Sequence, residues 1–389
     1  MATIRKRTWT AGDGTAKQAW QCDYRDQTGK RCSKQFARKR DADAFLTQAG
    51  WEVSKGIHTS EGGSITVEKA VELWIASAET KKLERKTIDG YESTARLHIV
   101  PFLGKEKIAK LRKPTIEAFK DQLVESGRSS ARVKRALVFL SLMLAEMERR
   151  GLVAQNVASG VKMIRKDREK REVVIPEPDE LKAMLDHADA DFRPFILTAM
   201  LTGLRASELR GLLWPYVDFE ANVIRVVQRA DERNKFGPPK SRAGRRSIPM
   251  SPRLVRELKE WKLRCPKTLL SLVFPAPEGN IWSYANIMNR RFWPLQIAAG
   301  VTVDLIDPDD GLPIWDENGK TLVDAKYSLH ALRHGCASLW IKEGVDLKRL
   351  KTWMGHSSIQ TTIDLYGHLM KDADGDATIV ANAERALLG

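Results

Sequence analysis

The chain has 389 residues, of which 42% are hydrophobic, and 65 Lys/Arg against 50 Asp/Glu give it a formal net charge of +15. That length accommodates two or three domains with separate cores, no apolar run approaches the ~20 residues a bilayer-spanning helix needs, and the basic opening Met-Ala-Thr-Ile-Arg-Lys-Arg lacks the apolar stretch of a secretory leader. The charge is uneven: residues 1–170 hold 35 Lys/Arg and 21 Asp/Glu, whereas 171–389 hold 30 and 29, so the first part is the expected seat of polyanion binding.

Residues 1–58 read as a small sheet and a helix. Strand-like runs at 4–10, 18–24 and 31–36 are separated by the turn signals Gly12-Asp-Gly14 and Gln27-Thr-Gly29, and 41–53 carries Ala42, Phe45, Leu46 and Ala49 at helical spacing. Arg5, Lys6, Arg7, Arg25, Lys30, Arg31 and Lys34 stud these strands, interleaved with Trp9, Trp20 and Tyr24. A basic sheet of this size fits a major groove, while most of the aromatics are expected in its core. Cys22 and Cys32 are read as reduced, half-buried thiols, and the four cysteines show no Cys-x-x-Cys pair or metal-ligand spacing.

A Gly/Ser-rich linker at 60–64 leads to Thr66, which has the chemistry of a helix N-cap. Helices are predicted to about 78, then at 87–98, 114–125 and 130–150, the last with Val133, Leu137, Leu140, Leu144 and Met147 on one face. This four-helix bundle, 65–165, brings Lys82, Arg85, Lys86, Arg132 and Arg135 to helix ends as candidate polyanion contacts, and Lys166 lies in the charged run that follows it. From 172 onward helices alternate with short strands, predicted at 223–229 and 245–250, and Ser251-Pro252 reads as a cap and first turn. An acidic stretch at 301–326 contains Asn318-Gly319 between two apolar runs, a hairpin signal read as a surface insertion. The fold class is thus multidomain α+β, with a small sheet-plus-helix module, a helical bundle and a mainly α domain holding a small sheet.

Four of the seven histidines lie between 328 and 369, in Ser-Leu-His330-Ala-Leu-Arg333-His334, Trp353-Met-Gly355-His356 and Asp364-Leu-Tyr366-Gly-His368. Converged, an arginine holds a phosphate, a histidine moves a proton and a tyrosine attacks. A phenol of pKa about 10 needs help to act near neutrality, and cationic donors beside it are expected to favour the phenolate. No Glu follows His330 as a zinc-protease motif requires, and no carboxylate cluster suggests a two-metal nuclease. His334 and His368 receive no role, and Trp340 and Trp353 are expected in the core.

His330-x-x-Arg333, Gly355-His356-Ser-Ser and Tyr366-x-His368 resemble the C-terminal signature of the tyrosine recombinases, the phage-integrase family. Thr202-Gly-Leu-Arg205-Ala-Ser-Glu208 and Lys240-Ser-Arg-Ala-Gly-Arg-Arg-Ser-Ile-Pro249 resemble that family's upstream arginine and lysine segments. The resemblance implies that Tyr366 attacks a DNA phosphodiester to give a 3′-phosphotyrosine. It assigns Arg205 and Arg333 to the phosphate oxygens, Lys240 to the departing 5′-oxygen, His330 to proton transfer from the tyrosine and His356 to a hydrogen bond to the phosphate. Glu208 orients a cationic neighbour. It further implies no cofactor or metal, an arm-type DNA-binding module at 1–58, a core-binding bundle at 65–165 and a catalytic domain at 172–389. Partners would be double-stranded attachment-site DNA, three further copies in a tetramer on paired sites exchanging the tail 378–388, and accessory bending or directionality proteins, all in the cytoplasm with no membrane. Relaxation of supercoils by the same chemistry and a DNA-binding regulator without catalysis are the alternatives.

Overall fold

The structure is a computed structural model describing residues 2–12, 14–26, 29–54, 64–163, 174–307, 311–369 and 384–385. Most of the 60–64 linker, the charged run with Lys166, part of the acidic stretch, and the tail positions Ile379, Val380, Leu387 and Leu388 lie outside the described residues. Two compact units are present, Met1–Glu169 and Lys170–Gly389.

In the first unit, strands Thr3–Thr10, Ala16–Arg25 and Arg31–Phe36 form an antiparallel meander. Its register pairs Lys6 with Trp20 and Trp20 with Phe36, and beside them Arg5 with Gln21 and Gln21 with Gln35. Because side chains alternate across a strand, one face gathers Trp20, Cys22, Tyr24 and Phe36. The helix Lys39–Ser54 covers that face, with Phe45 against the rings of Tyr24 (5.6 Å) and Phe36 (5.1 Å). Trp9 points to the other face and is 42% exposed, so it is not core. Cys22 lies opposite Lys34 and Cys32 opposite Tyr24; both thiols are free, Cys22 fully buried rather than half-buried.

The bundle comprises Val67–Thr80, Arg85–Thr94, Lys113–Glu125 and Ser130–Arg149, packed through Ile99, Ile116, Phe119, Leu140 and Met143. The Thr66 hydroxyl accepts from the Lys69 N–H at 3.3 Å, as its cap chemistry predicts. Trp74 stacks on Tyr91 at 4.1 Å. Buried Glu146 accepts from Arg149 (2.6 Å), Arg150 (2.9 Å), Lys81 (3.0 Å) and Ser77 (2.8 Å), tying the long helix to the first one. The second helix runs past its predicted end: Ala95–Ile99 is a π turn leading into Val100–Leu103. Pro101 is the reason, since its ring has no N–H and would collide with the carbonyl four residues back. The Val100 N–H therefore reaches five residues back, to Ala95.

The second unit packs Pro178–His187, Arg193–Thr202, Pro252–Arg264 and Leu329–Lys342 around Phe192, Phe195, Phe274 and Phe292. Its antiparallel sheet has Val223–Val226 between Val217–Asp218 and Arg246–Pro249. The Ser251 hydroxyl accepts from the Leu254 N–H at 3.3 Å, fixing the start of the helix after the sheet. A second π turn, Met288–Phe292, again stops one residue before a proline, at Trp293-Pro294. In the acidic stretch Thr302–Asp304 pairs with Val323–Ala325, and Gly319 (φ +74°) turns the predicted hairpin beneath the Trp315–Thr321 bridge.

Candidate active site

The helix Arg193–Thr202 ends at Gly203 in a left-handed conformation (φ +58°), and two residues later Arg205 caps the five-residue helix Ala206–Arg210. This turn puts the Gly203 carbonyl, Arg205 and Glu208 within one short span. The Arg205 guanidinium donates to Glu208 Oε1 at 3.0 Å and to the Gly355 carbonyl at 3.1 Å. One third of it stays in solvent.

Glu208 is 3% exposed. Both of its oxygens are held by Arg246, at 3.0 and 2.9 Å, in a forked pair. Burial on its own would raise the carboxyl pKa, but Arg246 and Arg205 hold it down at about 2. Arg246 also donates to the Trp353 carbonyl at 2.6 Å. The sequence motifs alone give this arginine no role. Its signal was strand alternation: Arg246 and Ile248 turn inward, Arg245 and Ser247 outward.

The helix Leu329–Lys342 presents His330, Arg333 and His334 from consecutive turns. Arg333, 2% exposed, donates to the carbonyls of Gly203 and Met354 and, at 3.2 Å, to His356 Nε2. Burial and the nearby Arg205 lower its pKa to about 9, which leaves it cationic at neutral pH. Gly355 (φ +63°) turns the chain so that the Met354 carbonyl faces Arg333 and its own carbonyl faces Arg205; a Cβ there would sit 3.1 Å from the Ala243 carbonyl.

His356 accepts from Arg333 at Nε2, so its Nδ1–H donates to Thr362 Oγ1 at 2.9 Å. Burial, with Arg333 and Arg205 next, pushes its pKa down to about 4. The ring thus supports Arg333 in this arrangement, rather than offering a donor to a phosphate as the resemblance implied. Tyr366 ends the helix Ile359–Tyr366 and is fully buried among Ala337, Leu350 and Met354. Its hydroxyl lies 2.8 Å from His334 Nδ1. The expectation of a favoured phenolate is corrected: burial outweighs Arg333 and raises the phenol to about 12. His334, lowered to about 4 by burial and by His330, is neutral and accepts the phenol proton's hydrogen bond.

His330 has an exposed edge, and its ring meets that of His334 at 4.8 Å. Desolvation of the rest of the ring, with the Arg333 charge next, lowers its pKa. Lys240 follows the hairpin Arg229–Ala230/Phe236–Gly237 and is exposed, with no hydrogen-bond or ion-pair partner among the described residues. Arg205, Glu208, Arg333, His356, His334 and Tyr366 therefore form one linked set; His330 joins it by ring contact, and Lys240 approaches through its loop alone. Trp340 and Trp353 are only half-buried, packed edge to face at 5.1 Å.

The candidate DNA-contacting residues separate as well. Arg5, Arg7, Arg25 and Arg31 share the open face of the sheet with Trp9, where Arg5 pairs with Asp23 at 3.0 Å. Lys30 is exposed at the adjoining turn. Lys6 and Lys34 belong to the helix-covered face by register, and Lys34 lies 4.8 Å over the Phe45 ring. They do not form one surface with the others. In the bundle, Lys82, Lys86, Arg132 and Arg135 are exposed, while Arg85 is engaged by Glu79, Asp89 and Glu92. Among the described residues no helix is long and apolar enough to cross a membrane, and no group of three or more His, Cys, Asp or Glu gathers to hold a metal.

Two family profiles match: Phage integrase family over residues 175–372, and Phage integrase, N-terminal SAM-like domain, over 66–124. The ICEBs1 integrase of Bacillus subtilis is 25% identical over 313 residues, 79% of this chain and 80% of that protein. A "Tyrosine recombinase XerC-like" protein of Caldanaerobacter subterraneus is 24% identical over 381 residues, 92% of this chain and 93% of its own. Among solved structures, the Tn1549 transposon integrase in complex with a circular intermediate DNA superposes with a TM-score of 0.62 at 19% identity, covering 84% of this chain and 100% of that one. A lambda integrase tetramer bound to a Holliday junction gives 0.54 at 17% identity, covering 90% and 95%.

Proposed function

We propose, for a chain that belongs to the phage integrase family and is a tyrosine-type site-specific recombinase, that Tyr366 cuts and rejoins attachment-site DNA through a 3′-phosphotyrosine. The observation that carries this is the Tyr366 hydroxyl placed 2.8 Å from an imidazole, in the cluster where two arginines converge on the Gly203 and Met354–Gly355 carbonyls. In the step, the bond from Tyr366 Oη to phosphorus forms as the bond to the 5′-oxygen breaks. The phenol proton passes to His334 Nδ1, a role the resemblance alone gave to His330. Lys240 supplies a proton to the departing 5′-oxygen. Arg205 and Arg333 hold the non-bridging oxygens as charge builds on them, and Glu208 with Arg246 fixes Arg205. Tyr366 is fully buried, so DNA must expose its hydroxyl before attack.

The energy of the broken phosphodiester stays in the phosphotyrosine, and religation to another strand uses no nucleotide. The neighbours bound to DNA, one of them a tetramer on a Holliday junction, support double-stranded DNA as the partner and four copies on paired sites. Residues 1–58 act as a separate arm-binding module through the face carrying Arg5, Arg7, Arg25 and Arg31, with 65–165 binding the core site and 172–389 carrying catalysis.

The test is a nicked core-site duplex from the junction where the element bearing the gene meets its host. The nick lets the cleaved fragment diffuse away, so the intact protein accumulates as a covalent 3′ adduct. Tyr366→Phe keeps the ring and removes the attacking oxygen, and it should bind the duplex without forming the adduct. An adduct formed by Tyr366→Phe would overturn the assignment.

A further inference from the structure

The structure assigns Arg210 as a positioning residue that sets Lys240 in register with Arg205, an inference resting on Lys240 as the acid for the departing 5′-oxygen. Arg210 closes the same five-residue helix that Arg205 opens. It is 3% exposed. Its Nε donates to the Trp282 carbonyl at 2.6 Å, and its Nη2 donates to the Asp231 carbonyl at 3.1 Å and to the Asn234 side-chain oxygen. Those direct acceptors are two carbonyls and an amide, and the Asp231 and Glu232 carboxylates of the same turn offset only part of the desolvation that lowers the guanidinium pKa. A buried guanidinium without a carboxylate hydrogen-bonded to it keeps much of its desolvation cost, so an apolar residue would serve plain packing better. What the guanidinium adds is direction, because its fork fixes three acceptors in one plane.

Two of those acceptors belong to the turn of the hairpin that leads to Lys240. The hairpin is only two residues on each side, Arg229–Ala230 and Phe236–Gly237, with Asn234 at its tip in a left-handed conformation (φ +57°). So short a ladder does not hold its own orientation. Gly211, just after Arg210, lets the backbones meet: a Cβ there would fall 2.6 Å from the Ala230 nitrogen. Gln228 closes the contact by donating to the Gly211 carbonyl at 2.9 Å. Beyond Gly237 come Pro238 and Pro239, whose φ is fixed, and then Lys240. On the far side of Lys240, Arg246 returns to the same helix through Glu208. Both ends of the lysine loop are thus fastened to the helix that carries Arg205, and Arg210 is the fastening on the hairpin side.

A bridging 5′-phosphorothiolate at the scissile position separates this role from a general loss of structure. Its sulfur leaves as a thiolate and needs no proton, so a defect that acts through the acid disappears on it. Arg210→Met, which keeps the bulk and removes the donors, should slow covalent adduct formation on the oxygen substrate by about 10²-fold. On the sulfur substrate it should return to near the wild-type rate, as Lys240→Ala should. Asn234→Gly keeps the turn conformation and removes one acceptor at an exposed position, and it should show a smaller defect with the same rescue. Equal slowing of Arg210→Met and Asn234→Gly on both substrates, with Lys240→Ala rescued, would overturn the role of Arg210. Failure of Lys240→Ala itself to be rescued would instead remove the lysine as the acid, and the inference with it.

Discussion

The two units use arginine in opposite ways. On the open sheet face the side chains of Arg5 and Arg31 are 57% and 71% exposed, and the acid they share, Asp23, lies beneath them. In the second unit Arg246 is 2% exposed in its side chain, and Arg333 and Arg210 are as deeply buried, each with a fixed set of acceptors. Exposed cations attract any polyanion, act additively and are screened by salt. Buried ones act through geometry, so salt leaves them alone and the loss of one donor is felt at once. Counting charge locates the first kind in a sequence and misses the second, since residues 171–389 are close to neutral while holding the candidate active site.

The contrast is broken most sharply at Arg333. Arg333→Lys keeps the charge but not the fork that reaches Gly203, Met354 and His356 together. Adduct formation on the nicked duplex should fall by about 10²–10³-fold, with binding little changed. A lysine variant within a few-fold of wild type would mean that charge alone suffices there. Next comes Glu208→Gln, which leaves Arg246 buried without its counter-charge. It should cost about 3–5 kcal/mol in chemical denaturation, the usual penalty for removing one partner of a buried pair. An unchanged denaturation midpoint would show that Arg246 is not held as described.

On the sheet the expected effect is smaller and depends on salt. Replacing Arg5, Arg7, Arg25 and Arg31 together by Ala should lower the slope of log affinity against log salt by about 3–4 on arm-site DNA. Replacing Lys6 and Lys34, which lie on the helix side, should change it by less than about 1. Equal losses from the two sets would dissolve the distinction between the faces.

The last effect is acid sensitivity. His334 and His356 have folded pKa values of about 4, below the ordinary value near 6.5. The unfolded chain therefore takes up protons first as pH falls, and the stability these neutral rings contribute is intact above about 6.5 and is lost between there and about 4. Each should cost about 1.4 kcal/mol per pH unit in that window. Thermal melts at pH 7.5 and 5.5 and fixed ionic strength should show the drop, and a flat profile would contradict the neutral state of these two rings.

Much of this was legible because motif and periodicity act locally. The strand at 31–36 and the helix after Ser251 form where turn and cap chemistry predicted them, and the motif residues other than Lys240 and His368 converge. What the sequence hid depends on partners far along the chain. Nothing local to Arg245-Arg246 says that the second one meets Glu208, 38 positions earlier. His334 looked like a bystander beside His330 because the tyrosine it meets is 32 residues away. The phenol pKa was misjudged for the same reason: composition shows the cations near Tyr366 but not the apolar cage of Ala337, Leu350 and Met354 that outweighs them.

The two π turns bear on how this chain can change length. Each amounts to one residue inserted into a helix, and a single residue separates each from a proline that an unbroken α-helix would reject. Insertion and proline are then a matched pair of edits. Losing one codon from the 95–99 turn would drive the Pro101 ring into a backbone carbonyl, whereas the same deletion made together with Pro101→Ala closes a regular helix. Single-codon deletions in either helix should therefore be rescued by replacing the proline that follows, and a lineage that discards one is expected to discard the other.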